Sequence, residues 1–243
     1  MFDRFRKKAL PVDFFYSATD VHSHILPGVD DGFQSDDASI AALRYWEEKG
    51  VRKIRLTPHF MMTYSENSKA TITPKFEAFK KKAEASCGIE LHLGAEYMLD
   101  VGLRKHLQDG FLTIDKGGGL VLCETSYLMI ESDAPSMLCE MMIEGYTPII
   151  AHPERYQYAS ETQYKSWKEK DYLFQLNLLS LAGAYGEPAL EKSHYMLQHG
   201  MYDFVGSDMH RIECFNHFLP TMKLLTKEID ALYLLYENNA RLF

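Results

Sequence analysis

The sequence is short of several things, and each shortage excludes a class. Four cysteines stand among 243 residues, at Cys87, Cys123, Cys139 and Cys214, and no two form a Cys-x-x-Cys pair. A disulfide framework and a thiolate zinc site are therefore not expected, and the four read as reduced, mostly buried thiols of a cytoplasmic protein. No apolar run approaches the roughly 18 residues of a membrane span. Pro11 and Asp13 interrupt the partly apolar start, MFDRFRKKALPVDFFYSA, so a signal peptide is not expected either, and residues 1–18 read as a tail that packs or frays. No Lys/Arg stripe runs along the chain and the formal net charge is -8, which disfavours a nucleic-acid partner. There is no Cys-x5-Arg loop, no Gly-x-Ser-x-Gly elbow and no Gly-x4-Gly-Lys-Ser/Thr loop. The triple glycine at 117–119 precedes a strand-like run and reads as a turn. Cysteine- and serine-based hydrolysis and P-loop chemistry thus have no residues to run on.

What is present is an ordinary globular composition, 46% hydrophobic and 13% aromatic, long enough to bury a large core. Short β-like runs alternate with amphipathic stretches. The strands expected are TDVHSH, VRKIRLTPHF, IELHLGAE, LVLCET, TPIIAH, YLFQLN and YDFVGSD. The helices expected are SDDASIAALRYWEEKG, capped near Ser35 or Asp36 and stopped at Gly50; TPKFEAFKKKAEASCG, with Thr73 as cap and Pro74 in the first turn; APSMLCEMMIEGY; TQYKSWKEK; EPALEKSHYMLQHG; and a long last one, LPTMKLLTKEIDALYLLYEN. About seven strands in a repeated βα order predict a parallel sheet or barrel in one domain over residues 19–243.

The polar residues fall at the strand ends. His22 and His24 end the first strand, with Asp30 and Asp31 just beyond. His59 ends the second, Glu96 the third, Glu124 the fourth, His152 the fifth with Glu154 and Arg155 following, Asn177 the sixth, and Asp208 with His210 the seventh. In a parallel βα architecture those ends share one face, where such folds build their sites. His-x-His on a strand puts both imidazoles on one side, and the same parity joins Asp208 to His210. Taken singly, His24 or His152 suits a structural hydrogen bond, Glu96 a helix cap and Arg155 a salt bridge to a neighbour. Together they suit divalent transition ions such as Mn, Fe or Zn, which would offset the repulsion of so many acids. A cluster this large can hold more than one ion, activate a shared water as hydroxide and neutralise phosphoryl charge, while Arg155 grips phosphate. Metal-assisted phosphoester hydrolysis is the chemistry these residues predict. His92, His106, His194, His199 and His217 fall on other faces.

DVHSHILPGVDDG, TPHF, GAEY, LCET, AHPERY, LNLLSLAG and SDMH, in this order, resemble the bacterial PHP-type (polymerase and histidinol phosphatase) manganese-dependent protein-tyrosine phosphatases of capsule and exopolysaccharide systems. The resemblance spans about Thr19 to the closing ENNARLF. It implies a distorted (β/α)7 barrel, a centre of three divalent ions, manganese first with Fe, Zn or Mg as alternatives, and hydrolysis of phosphotyrosine on a membrane-associated bacterial tyrosine kinase. Carried over by motif, the ligands would be His22, His24, Asp31, His59, Glu96, Glu124, His152, Asp208 and His210, with Glu96 bridging two ions and Arg155 holding phosphate. Asp31 rather than Asp30 takes the ligand position, Asp20 is left as a strand-flanking residue, and Gly28 and Gly32 are expected to let the loop turn back over the ions. The chain departs from the family after SDMH: the one arginine there is Arg211, directly after His210, where relatives carry theirs a few residues later. TPHFMMTYSENS also replaces a loop that usually bears His or Arg. A small-molecule phosphatase such as histidinol-phosphate phosphatase, or a metal-stabilised kinase-binding protein without activity, are the competing readings.

Overall fold

The structure, a computed structural model, describes residues 6–243; the first five residues of the basic leading segment lie outside the described residues. Nine short strands are hydrogen-bonded in parallel. They are β1 (Thr19–Asp20), β2 (Lys53–Leu56), β3 (His59–Phe60), β4 (Glu90–Leu93), β5 (Glu96–Met98), β6 (Leu120–Glu124), β7 (Thr147–Ala151), β8 (Leu173–Asn177) and β9 (Phe204–Gly206). Their spatial order is β1-β2-β4 in one sheet and β3-β5-β6-β7-β8-β9 in the other. β2 and β3 follow one path, broken at Thr57-Pro58 because proline cannot donate to the ladder, and β4 and β5 follow another, broken at Gly94-Ala95. The nine strands are thus seven paths, as many as the sequence pattern predicts. A parallel bridge between Ser23 and Met209, with the Asp208 N–H donating to the His22 carbonyl at 2.8 Å, draws the last path to the first. The sheet is therefore curled, and the helices cover its outside.

The helices are α1 (Asp36–Glu48), α2 (Lys69–Glu84), α3 (Leu103–Asp109), α4 (Ala134–Ile143), α5 (Glu161–Lys168), α6 (Glu187–Gln198), α7 (Ile212–Phe218) and α8 (Thr226–Ala240). The Ser35 hydroxyl caps α1 by accepting from Ala38 N–H, as its position predicts. α2 corrects the expectation: it starts after Ser68, not Thr73, because Ser68 and Thr71 satisfy each other's backbone N–H groups, and Pro74 is carried inside the helix. The long last helix is also corrected. It breaks at Met222–Leu225, where Leu224 pairs in antiparallel fashion with Lys8, and α8 begins at Thr226. α3 and α7, seven residues each, were not expected.

The core is a continuous apolar cluster around Trp46, Ile54, Leu56, Tyr97, Phe174 and Phe215. Phe14 and Phe15 belong to it, so the leading segment is packed at those two residues, while Val12 before them is fully exposed. Two cysteines correct the expectation of burial: Cys123 is buried and Cys87 partly so, but Cys139 and Cys214 are exposed, next in sequence to the buried Leu138 and Phe215. No helix among the described residues is long and apolar enough to cross a membrane.

Candidate metal centre

The chain leaving β1 forms the first wall. Val21 faces the apolar side, and His22 and His24 both face the interior of the strand ends, where they are fully buried. Each imidazole is held from behind by its Nδ1. His22 Nδ1 pairs with Gln175 Oε1 at 2.7 Å and His24 Nδ1 with Asp30 Oδ2 at 2.9 Å. The two Nε2 atoms are thereby left 3.1 Å apart and facing inward. The loop that follows turns at Gly28, φ +67°, and closes at Gly32, where a Cβ would stand 2.0 Å from the His24 carbonyl oxygen. This close approach divides the work of the two aspartates. Asp30 is buried, bonded to His24, the Gly32 N–H and the His59 N–H, and orients the site. Asp31 stands at the rim, its Oδ1 3.4 Å from both His59 Nε2 and His210 Nε2. Asp20 accepts from the Ser207 N–H and Oγ–H and ties β1 to β9.

Carboxylates from the other paths meet these rings. Glu96 Oε2 lies 3.2 Å from His22 Nε2, 3.3 Å from His24 Nε2 and 3.2 Å from His59 Nδ1, and its Oε1 lies 3.0 Å from His152 Nε2. Asp208 Oδ1 lies 3.3–3.4 Å from His22, His24 and His210. Glu124 Oε1 lies 3.2 Å from His59 Nδ1. All nine residues singled out from the sequence thus converge. They form three overlapping sets of donors: His24, Asp31, His59 and His210; His22, His24, Glu96 and Asp208; and His59, Glu96 and Glu124. His152 joins through Glu96. Two members are held in left-handed backbone, His152 at φ 34° and Asp208 at φ 52°, a conformation that costs of order 1–3 kcal/mol for such residues and that the surrounding bonds must impose.

The residues fit divalent ions. Glu96 Oε2, Glu124 Oε1 and His59 Nδ1 are buried with no hydrogen-bond partner among the described residues, yet each of the two carboxylate oxygens stands 3.2 Å from His59 Nδ1. Buried polar atoms are normally satisfied, so three orphans facing one point call for a shared cation. Separations of this size also match the edge of a coordination shell with bonds of about 2.1 Å. The electrostatics agree. Burial opposes charge on Glu96 and Asp208, but the His22 imidazole and its neighbours hold both well below the usual carboxylate range. Burial and His24 push His59 down, and Glu124 and Glu96 outweigh them, raising it to about 10. Glu96 and Asp208 are thereby held in the ionised form that ligation needs.

Beside the cluster opens a cavity of about 350 Å³, walled by Tyr127, Leu179, Tyr185, Cys214 and Phe215. Arg155 lines it, and its Nη1 donates to Asp208 Oδ2 at 2.8 Å rather than to Glu154. Glu154 is buried elsewhere, accepting from Ser180, Tyr202 and the Asn177 N–H. Arg211 lines the same cavity from the outer side. Asn177 was placed at its strand end but given no role, and Gln175, Tyr127 and Tyr185 were not singled out. Gln175 carried a usable signal, because it shares the face of its strand with Asn177, two residues on.

A model of the family described as capsular polysaccharide synthesis, CpsB/CapC, matches residues 18–239. The chain belongs to that family. It is similar to the tyrosine-protein phosphatase YwqE of Bacillus subtilis, with 28% identity over 90% of this chain and 89% of that protein. It is also similar to the putative tyrosine-protein phosphatase CapC of Staphylococcus aureus, with 28% identity over 79% and 77% of the two chains. A solved structure described as one of YwqE from Bacillus subtilis and CpsB from Streptococcus pneumoniae, metal-dependent tyrosine phosphatases, matches with a TM-score of 0.77 and 25% identity over 92% of this chain and 93% of that one. The curled parallel sheet is thus the fold of this CpsB/CapC member and of that structure alike.

Proposed function

We propose that this chain is a metal-dependent protein-tyrosine phosphatase. One observation carries the reading: a buried His/carboxylate cluster with orphaned donor atoms opens onto an aromatic-walled cavity that holds an arginine. Relatives described as tyrosine phosphatases over most of their length support it. The seven strand paths and the Ser23–Met209 bridge support a distorted (β/α)7 barrel of PHP type. The three donor sets support three ions, with Glu96 shared between two of them. Five imidazoles among the donors favour Mn, Fe or Zn over Mg, and manganese is our choice. When bound, such ions act as Lewis acids toward phosphoryl oxygens and bring a water to nucleophilic strength near neutral pH.

The chain's own groups do the rest. Arg155 donates to the non-bridging oxygens of the phosphoryl group and stabilises the charge that gathers there. Arg211, at the outer wall, is placed to take a second oxygen or an acidic flank of the substrate. Leu179 and Phe215 accept the aromatic ring and keep water from it. Gln175, Asp30 and Asn177 fix the donor atoms so that no reorganisation is needed at the moment of reaction. The substrate we propose is a phosphotyrosine protein of capsule synthesis, a bacterial tyrosine kinase held at the membrane, reached from the cytoplasm.

The test uses protein loaded with Mn2+. Turnover of p-nitrophenyl phosphate and of a phosphotyrosine peptide is expected, and chelation should abolish both. A loaded sample that cleaves neither would sink the reading. A much larger kcat/KM on histidinol phosphate than on the peptide would transfer the site to small-molecule substrates.

A further inference from the structure

The Arg155 guanidinium does not simply project into the cavity. Its central carbon lies over two rings, 4.4 Å from the centroid of Tyr127 and 4.1 Å from that of Tyr185. We infer that Tyr127 and Tyr185 are positioning residues that clamp Arg155 in one plane, so that the free edge of the guanidinium, not its face, meets the phosphoryl group. This rests on the phosphatase reading of the site.

Three features carry the inference. A guanidinium has five N–H donors, all in its plane, and among the described residues only Nη1 is committed, to Asp208 Oδ2. One hydrogen bond leaves the group free to swivel about it, whereas contact with two ring faces restricts that rotation. The remaining donors are then offered to the cavity in the fork geometry that phosphate requires. The clamp is also tied to the metal donors. Asn177 Nδ2 donates to Asp208 Oδ2 at 2.7 Å and to the Tyr185 hydroxyl at 3.1 Å. Tyr185, Asn177, Asp208 and Arg155 therefore close a ring, and Asp208 turns its other oxygen toward His22, His24 and His210. Lastly, the clamp restrains an arginine that has competing attractions. Glu124 and Asp31 border the same site, and an unrestrained cation at this place would be drawn toward them and away from substrate. Tyr127 comes from the segment after β6, and Tyr185 from the turn before α6, so the two halves of the clamp belong to different loops.

The rings act through their faces, which separates the inference from a plain packing role. Tyr127→Phe and Tyr185→Phe keep the faces, while Tyr127→Leu and Tyr185→Leu remove them. With the Mn2+-loaded protein, each Leu variant is expected to weaken binding of inorganic phosphate, measured by titration calorimetry, by about 3- to 30-fold, the range of a cation–π contact. KM for p-nitrophenyl phosphate should rise by a similar factor with kcat changed much less, and metal content by elemental analysis should not move. Tyr127→Phe keeps the ring face and should keep the native phosphate affinity. Arg155→Lys keeps the charge but has no plane to clamp, and should lose at least as much phosphate affinity as the Leu variants. Leu variants with native phosphate affinity would overturn the inference, as would Phe and Leu variants equally impaired. Tyr127 is 37% exposed on a loop, so Tyr127→Leu tests the idea even if Tyr185→Leu folds poorly. Native protein that binds phosphate but hydrolyses no aryl phosphate would sink the phosphatase reading and leave the clamp standing on the calorimetry alone.

Discussion

Two kinds of buried acid occur in this molecule. Asp20, Glu154 and Glu228 are each almost wholly buried, and every oxygen of all three is met by a donor. Asp20 takes the Ser207 N–H and Oγ–H. Glu154 takes Ser180, Tyr202 and the Asn177 N–H. Glu228 takes His194, Gln198 and the Leu225 N–H. Glu96 and Glu124 are as deeply buried, yet one oxygen of each has no hydrogen-bond partner among the described residues. The first kind is saturated by the fold and joins elements together. The second is left unsaturated at the strand ends, where it faces the ring nitrogens of the histidine cluster at 3.2–3.3 Å. Burial alone therefore does not mark a ligand; burial with an unmet lone pair does.

The comparison breaks most sharply at Glu96. Glu96→Gln keeps the volume and removes the charge shared by two donor sets. Phosphatase activity should fall by more than about 100-fold, beyond the range typical of a supporting residue. Bound metal should fall with it, while circular dichroism of the chelated protein stays native. Native metal content in Glu96→Gln would place Glu96 with the saturated acids instead.

A smaller effect is expected one step back from the donors. Gln175→Ala removes the acceptor behind His22 Nδ1 and lets that ring turn. Metal affinity, read by competition with a chelator, should weaken by about 10- to 100-fold. Gln175→Glu should restore it, because a carboxylate accepts the same proton. An unaltered affinity in Gln175→Ala would mean that packing, not this bond, orients His22.

How much of this was legible in the sequence follows from how local each signal is. The parity of His22 and His24, and of Asp208 and His210, is a property of two-residue spacing and shows in the bare string. The convergence of Glu96, Glu124 and His152 needs only the βα order, which periodicity supplies. Gln175 was passed over because its role exists only against His22, 153 residues away. Asp31 was preferred to Asp30 by its motif position alone, and the supporting role of Asp30 behind His24 shows only once the loop closes at Gly32. Pro74 misplaced the start of α2, since proline usually marks a first turn and here the reciprocal Ser68–Thr71 cap outweighs it. The break before α8 came from Leu224 pairing with Lys8, a contact across nearly the whole chain. The clamp on Arg155 was invisible for the same reason: two rings from two loops meet only in three dimensions.

The smallest effect belongs to the saturated class and is read in stability, not activity. Burial raises the Glu228 carboxyl, but His194, the Leu225 N–H and Gln198 outweigh it and lower it from 4.5 to about 2. A carboxyl with a lowered folded-state pKa adds stability above its unfolded value, and that stability is lost as pH falls through the folded value. Glu228→Gln leaves one of the three donors without its acceptor and should cost on the order of 1–3 kcal/mol near neutral pH. In a chain of this size that is a fall in Tm of roughly 2–10 °C. The gap between native and variant should be full above about pH 4.5 and close as pH drops toward 2, as the native carboxyl takes up its proton. Metal content and kcat should not change. A gap that stays constant with pH would mean that Glu228 contributes through packing alone, and a loss of metal would mean that the saturated and unsaturated acids are not separable after all.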